Sequence, residues 1–84
     1  MAKVEIYYWT ACPYCTKARG ILDSKNVKYE AHNLDDDEPT RQALASRTDG
    51  RISMPQIFID DKHIGGCDDL FDLEDAGKLD ALLA

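Results

Sequence analysis

No apolar run in this 84-residue chain approaches the length of a bilayer span, so a membrane-embedded protein is not expected. The first residues, Met1-Ala2-Lys3, lead straight into Val4-Glu5-Ile6-Tyr7 without the apolar core of a secretion signal. A soluble, cytoplasmic protein is the expectation. Basic residues are in deficit: 10 Lys and Arg against 16 Asp and Glu leave a formal net charge of -6. That balance argues against a nucleic-acid partner and against anionic lipid. Cysteine is sparse as well. Three is an odd number and too few for the stapled scaffold of a small secreted domain. Repeats, low-complexity segments and linkers are missing, and the length allows one modest core with no separate substrate domain. Residues 1–84 are therefore read as a single, monomeric domain.

What the chain does have is a dithiol, Cys12-Pro13-Tyr14-Cys15, set between an apolar β-like run and a helical stretch. A thiolate at the start of a helix is favoured by unpaired backbone N–H groups and by the positive end of the helix dipole. The second cysteine, three residues on, lies one turn away. Cys12 is thus the expected nucleophile and Cys15 the resolving thiol. Pro13 suits the first helical position, where its missing N–H costs nothing and its φ already matches the helix. The pair as half of a zinc site would need two more ligands. The remaining candidates, His32, His63 and Cys67, are scattered singly, and no metal site is expected. A purely structural disulfide is no better supported, since so short a loop constrains the unfolded chain little.

Residues 3–8 alternate Val4, Ile6 and Tyr8 with Glu5 and Tyr7, the pattern of a first strand. Ala18, Ile21 and Leu22 share one face of a helix running from Pro13 to about Lys25. A second strand is expected within residues 27–34, and a second helix from Glu38-Pro39 to about Arg47, stopped by Thr48-Asp49-Gly50. Gln56-Ile57-Phe58-Ile59 and Lys62-His63-Ile64-Gly65 flank the two-residue turn Asp60-Asp61, which predicts a hairpin. The tail from Asp68 carries Leu70, Leu73, Leu79 and Leu83 at helical spacing, interrupted by Gly77, so one or two final helices are expected. The order βαβαββα makes the first two strands parallel and the last two antiparallel, an α/β fold with a four-stranded mixed sheet and helices on both faces. This is the thioredoxin-like arrangement. The acidic clusters Asp35-Asp36-Asp37-Glu38 and Asp60-Asp61 read as solubilising loops and helix caps.

Three motifs together, Cys12-Pro13-Tyr14-Cys15, Ser53-Met54-Pro55-Gln56-Ile57-Phe58-Ile59 and Gly65-Gly66-Cys67-Asp68-Asp69-Leu70, resemble those of the small bacterial dithiol glutaredoxins in identity, order and spacing. The resemblance covers essentially the whole chain. It implies a glutathione-dependent thiol–disulfide oxidoreductase that reduces protein disulfides and glutathionylated proteins, with glutathione as co-substrate and no tightly bound cofactor. An alternative within the same family is an iron–sulfur carrier whose cluster is held by Cys12 of two chains and by glutathione; the stiff Pro13 and the competing Cys15 weigh against it. The resemblance further implies a cis bond before Pro55, with the Met54 backbone pairing with the cysteinyl part of glutathione. The backbone around Cys67, Asp68 and Asp69, which follows Gly66 of the same implied site, would receive the γ-glutamyl α-carboxylate, and the Asp69 carboxylate its ammonium. Asp68 or Asp69 would equally well cap the last helix, and the two roles are compatible. Tyr14 joins this implied set. Many relatives carry a lysine shortly before the first cysteine, whereas Tyr8-Trp9-Thr10-Ala11 contains no cation. Arg51 and Gln56 are then the candidates for the glycyl carboxylate, while Trp9 either lines the groove or covers the dithiol. For Cys67 a buried spacer and a peripheral redox-sensitive thiol remain equally open.

Overall fold

A computed structural model describes residues 2–51 and 53–84. Strand β1 (Val4–Tyr8) is followed by helix α1 (Pro13–Ser24), β2 (Glu30–Asn33) and α2 (Glu38–Leu44), which tightens into a 3₁₀ turn over Ala45–Arg47. Strands β3 (Gln56–Ile59) and β4 (Lys62–Gly65), then helices α3 (Cys67–Asp75) and α4 (Leu79–Leu83), complete the chain. The sheet order is β2-β1-β3-β4. β1 runs parallel to β2 and antiparallel to β3, and β3 is antiparallel to β4, so the sheet is mixed. This is the thioredoxin-like α/β fold.

Alternation along the strands explains how the sheet is covered. Val4 and Ile6 of β1 face the same way as Ile57 and Ile59 of β3, and pack with Ala18 and Leu22 of α1, Leu70 of α3, and Leu79 and Leu83 of α4. Tyr7 and Phe58 point to the opposite face, where Leu44 of α2, Leu34 and Met54 meet them. The dithiol belongs to this second cluster. Helices therefore lie on both faces, as the pattern implies.

The tail forms two helices, so the order ends αα; Gly77 sits at φ +72°, a conformation that breaks a helix, and Leu79 and Leu83 then return to the core. β2 lies within the expected span 27–34, with Glu30 to Asn33 paired with Glu5 to Tyr8 of β1. The second helix changes to the tighter 3₁₀ form at Ala45. The turn at Asp60-Asp61 is as expected: both residues have positive φ, 53° and 64°, the left-handed pair that matches hairpin twist. Among the described residues, no helix is long and apolar enough to cross a membrane.

Candidate active site

The dithiol sits where β1 hands the chain to α1. Between them, the backbone N–H and hydroxyl of Thr10 both donate to the Asp35 carboxylate, at 2.8 and 2.6 Å. Asn33 adds a bond to Thr10 Oγ1 at 2.8 Å, and its own side-chain oxygen accepts from the Asp35 N–H. This clamp ties the turn before Cys12 to the end of β2. Thr10 lowers the Asp35 pKa, first through its hydroxyl and then through its backbone N–H. From the sequence the run containing Asp35 reads as a solubilising loop and helix cap; its hold on Thr10 comes from the fold.

Cys12 is the N-cap of α1, in extended conformation, and its Sγ accepts the backbone N–H of Cys15 at 3.1 Å. Pro13 occupies the first turn. The sulfur therefore occupies the place that a serine or aspartate oxygen takes in an ordinary cap, facing the positive end of the helix. Cys12 and Cys15 are joined as a disulfide, with Cα atoms 5.2 Å apart. Cys12 is 9% exposed and Cys15 only 1%, so an incoming thiolate reaches Cys12 first.

On the far side of the dithiol, Cys12 Sγ lies 3.8 Å from the Met54 carbonyl oxygen, and the Met54–Pro55 peptide is cis. A cleft of about 160 Å³ opens here. Its walls are Tyr14, Ser53, Met54 and Pro55 on one side and Gly66, Cys67, Asp68 and Asp69 at the start of α3, with Arg51 alongside. Of the sequence-predicted ligand set, all but Gln56 line this one cleft, which reaches the dithiol through Met54. Gln56 is fully buried, donating to the Ser53 carbonyl at 2.9 Å and meeting His63 Nε2 at 2.6 Å. It braces the segment from behind and does not line the cleft. Burial, followed by the nearby Arg51 charge, lowers the His63 pKa, which favours the neutral ring. Ser53 lines the cleft without having been singled out from the sequence.

Asp69 is the third residue of α3 and accepts the Gly66 N–H through Oδ2 at 2.9 Å, closing the helix start. Both Arg51 guanidinium nitrogens reach the same oxygen at 3.2 Å. The Gly66 N–H, and after it Arg51, hold the Asp69 carboxyl below the usual carboxylate range. Arg51 is therefore engaged with Asp69 in this structure. Cys67 is 6% exposed and packs into the α1-side core; burial pushes its thiol pKa up, partly offset by Lys17. An inert, buried thiol fits these surroundings better than a reactive one. Trp9 is half-buried, and the Arg41 guanidinium of α2 lies 5.1 Å from its ring centre.

A helix-capping dithiol at the C-terminal end of the first strand of a thioredoxin-like sheet, facing a cleft closed by a second helix start, defines a thiol–disulfide redox protein. Comparison with known proteins narrows the class. The glutaredoxin family model matches residues 4–64. A probable glutaredoxin of Synechocystis sp. is 52% identical over 82 residues, covering 98% of this chain and 93% of its own. Glutaredoxin 3 of Escherichia coli is 48% identical over 83 residues, covering 99% of both. Among solved structures, a buckwheat glutaredoxin–glutathione complex superposes with a TM-score of 0.91 at 29% identity, covering 98% of this chain and 76% of that one. This chain belongs to the glutaredoxin family, the glutathione-dependent disulfide oxidoreductases.

Proposed function

We propose that the protein reduces glutathione mixed disulfides and protein disulfides through Cys12, with Cys15 as the resolving thiol and glutathione as co-substrate, acting as a monomer in the cytoplasm. The observation that carries this reading is the Cys12 sulfur, which receives a helix N-terminal N–H and lies 3.8 Å from the carbonyl of Met54, a wall of the cleft that also takes in the start of α3. In the proposed cycle the reduced Cys12 thiolate attacks a glutathionylated protein, forms a Cys12–glutathione disulfide and releases the protein thiolate. A second glutathione thiolate then attacks the glutathione sulfur, Cys12 leaves as thiolate, and glutathione disulfide departs. With a protein disulfide, Cys15 resolves the Cys12–protein bond, and two glutathiones later restore the dithiol.

Magnitudes show which step benefits. An ordinary cysteine with pKa about 8.5 is roughly 3% thiolate at neutral pH, so complete ionisation raises the attacking species by about 30-fold. A lowering of about 3.5 units that achieved this would weaken intrinsic nucleophilicity by roughly 25- to 60-fold. Attack is nearly unchanged by the exchange. Departure is faster, because a stabilised thiolate is the better leaving group.

The cleft supports glutathione as the ligand. Met54 offers backbone beside Cys12, Cys67 and Asp68 carry first-turn N–H groups that have no partner within their nine-residue helix, and Asp69 supplies a carboxylate. Arg51 is the cation available to a carboxylate of the ligand once it leaves Asp69; Tyr14, 62% exposed, stands at the mouth. The test is to assay Cys12→Ser and Cys15→Ser on a glutathionylated peptide and on a protein disulfide. Cys12→Ser should lose both activities, whereas Cys15→Ser should keep deglutathionylation and lose most protein-disulfide reduction. The opposite pattern would reverse the roles. Visible absorbance in anaerobically purified protein, lost in Cys12→Ser, would instead support the cluster-carrier alternative.

A further inference from the structure

We propose that Glu5, Glu30 and His32 form a site for a borderline divalent transition-metal ion of the zinc class, separate from the redox cleft. Register brings them together. Glu5 stands opposite Glu30, and Tyr7 opposite His32, in the parallel β1–β2 pair, so alternation puts all four side chains on one face of the sheet. One donor atom from each of Glu5, Glu30 and His32 lies within 4.8 Å of the others. His32 Nε2 is 3.6 Å from a Glu5 oxygen and 3.6 Å from a Glu30 oxygen. Donors bound to one tetrahedral ion at about 2.0–2.2 Å stand roughly 3.4 Å apart. The two histidine spacings are already close to that, and the exposed Glu30 side chain is free to close the third.

The second observation is the ring nitrogen itself. Although the His32 side chain is 38% exposed, its Nε2 atom is itself shielded from solvent and makes no hydrogen bond, facing only the two carboxylates. A shielded, unpaired nitrogen is costly unless something takes its lone pair. It points at two carboxylates placed side by side on neighbouring strands, which repel each other unless a positive charge lies between them. Glu5 is 92% buried by its side-chain exposure of 8%, so its charge is poorly served by water. Lys3 approaches only its other oxygen, at 3.5 Å.

The surroundings also orient the donors. Tyr7 stacks on the His32 ring with centroids 4.6 Å apart and planes 23° from parallel, and donates its hydroxyl to Glu5 at 3.3 Å. Such outer contacts fix ring direction and carboxylate rotamer before an ion arrives. One imidazole and two carboxylates, with no thiolate, suit zinc or nickel better than the soft monovalent copper ion. Three protein ligands leave a further position open for water. None of the three residues lines the cleft beside the dithiol.

The experiment is a titration of the full chain with Zn²⁺, with Cys12 and Cys15 kept oxidised so that their thiolates cannot take the metal. The expected result is one ion bound at micromolar concentration, a raised Tm, and a shift of the His32 imidazole NMR signals with those of His63 unmoved. His32→Gln should weaken binding at least tenfold and abolish the Tm rise, and Glu30→Gln should weaken it several-fold. Both positions lie on the edge strand, and an unchanged Tm of each metal-free variant against the metal-free parent establishes that it folds. Should either variant not fold, the NMR shifts of the parent protein decide the matter alone. Absence of binding at millimolar Zn²⁺, or binding that His32→Gln leaves intact, would overturn the site in favour of a plain imidazolium between two glutamates.

Discussion

Asp69 concentrates three demands in one oxygen: Oδ2 accepts the Gly66 N–H and both Arg51 nitrogens, while the proposed ligand's ammonium needs the same carboxylate. Asp69→Ala is expected to raise the KM for glutathionylated substrates. A charge-assisted hydrogen bond is worth about 1.5–3 kcal/mol, and a group as exposed as this falls at or below the lower end, so the rise should be about tenfold or less. Steady-state kinetics with a glutathionylated peptide measure it; an unaltered KM removes Asp69 from the site. The same residue makes an acid-stability prediction. Its folded pKa is depressed, first by the Gly66 N–H and then by Arg51, so the contribution is complete above the unfolded carboxylate value of about 3.9 and disappears as pH falls through the folded value. Asp69→Asn, which keeps an acceptor for Gly66 but loses the charge, should flatten that acid limb in urea unfolding at a series of pH values.

At the scale of elements, the junction between β4 and α3 shows why two glycines stand there. Gly65 has φ +126°, and a Cβ added to it would collide with the Asp69 side chain. Gly66 is bounded by the Pro55 carbonyl and the Arg51 guanidinium, each 3.3 Å from where a Cβ would be. Gly65→Ala should therefore cost about 1–3 kcal/mol in backbone strain and additionally displace Asp69 from its cap. Urea unfolding and the KM for glutathionylated substrate should move together in this variant. A stability change without a KM change would separate the strand end from the ligand site. The acidic run has a comparable elemental role, beyond solubility. Asp35 clamps the turn before the dithiol, Asp37 caps α2 by accepting the Thr40 N–H at 3.1 Å, and Glu38 pairs with Arg41 one turn on at 3.0 Å.

For the whole molecule, the mixed sheet separates two apolar layers with different tasks. The α1-side layer, with Ile6, Leu22, Ile57, Leu70 and Leu79 fully buried, supplies the bulk of the core. The α2-side layer holds the dithiol against Tyr7 and Phe58. Leu70→Ala should destabilise by about 2–5 kcal/mol, which approaches the full stability of a domain this small, roughly 4–13 kcal/mol at typical per-residue values. Tyr14→Ala, at an exposed position, should change stability by no more than about 0.5 kcal/mol. Chemical denaturation of both variants tests the contrast. Equal losses would mean that the ring of Tyr14 is packed in solution.

The sequence by itself determined the features that depend on near neighbours. The dithiol at a helix start rests on a three-residue spacing, the hairpin on a two-residue turn, the parallel and antiparallel pairings on connection length, and the family on three short motifs. Each of these acts over a few residues, where turn chemistry and side-chain period leave little choice. Only the tertiary structure decided which groups meet across the chain. That Asp35 holds Thr10, that Arg51 is engaged by Asp69, that Gln56 turns inward to His63, and that His32 faces Glu5 are all consequences of strand register and helix placement. A shift of one residue in register would reverse the face on which each side chain lies, and no local pattern encodes the partner waiting there.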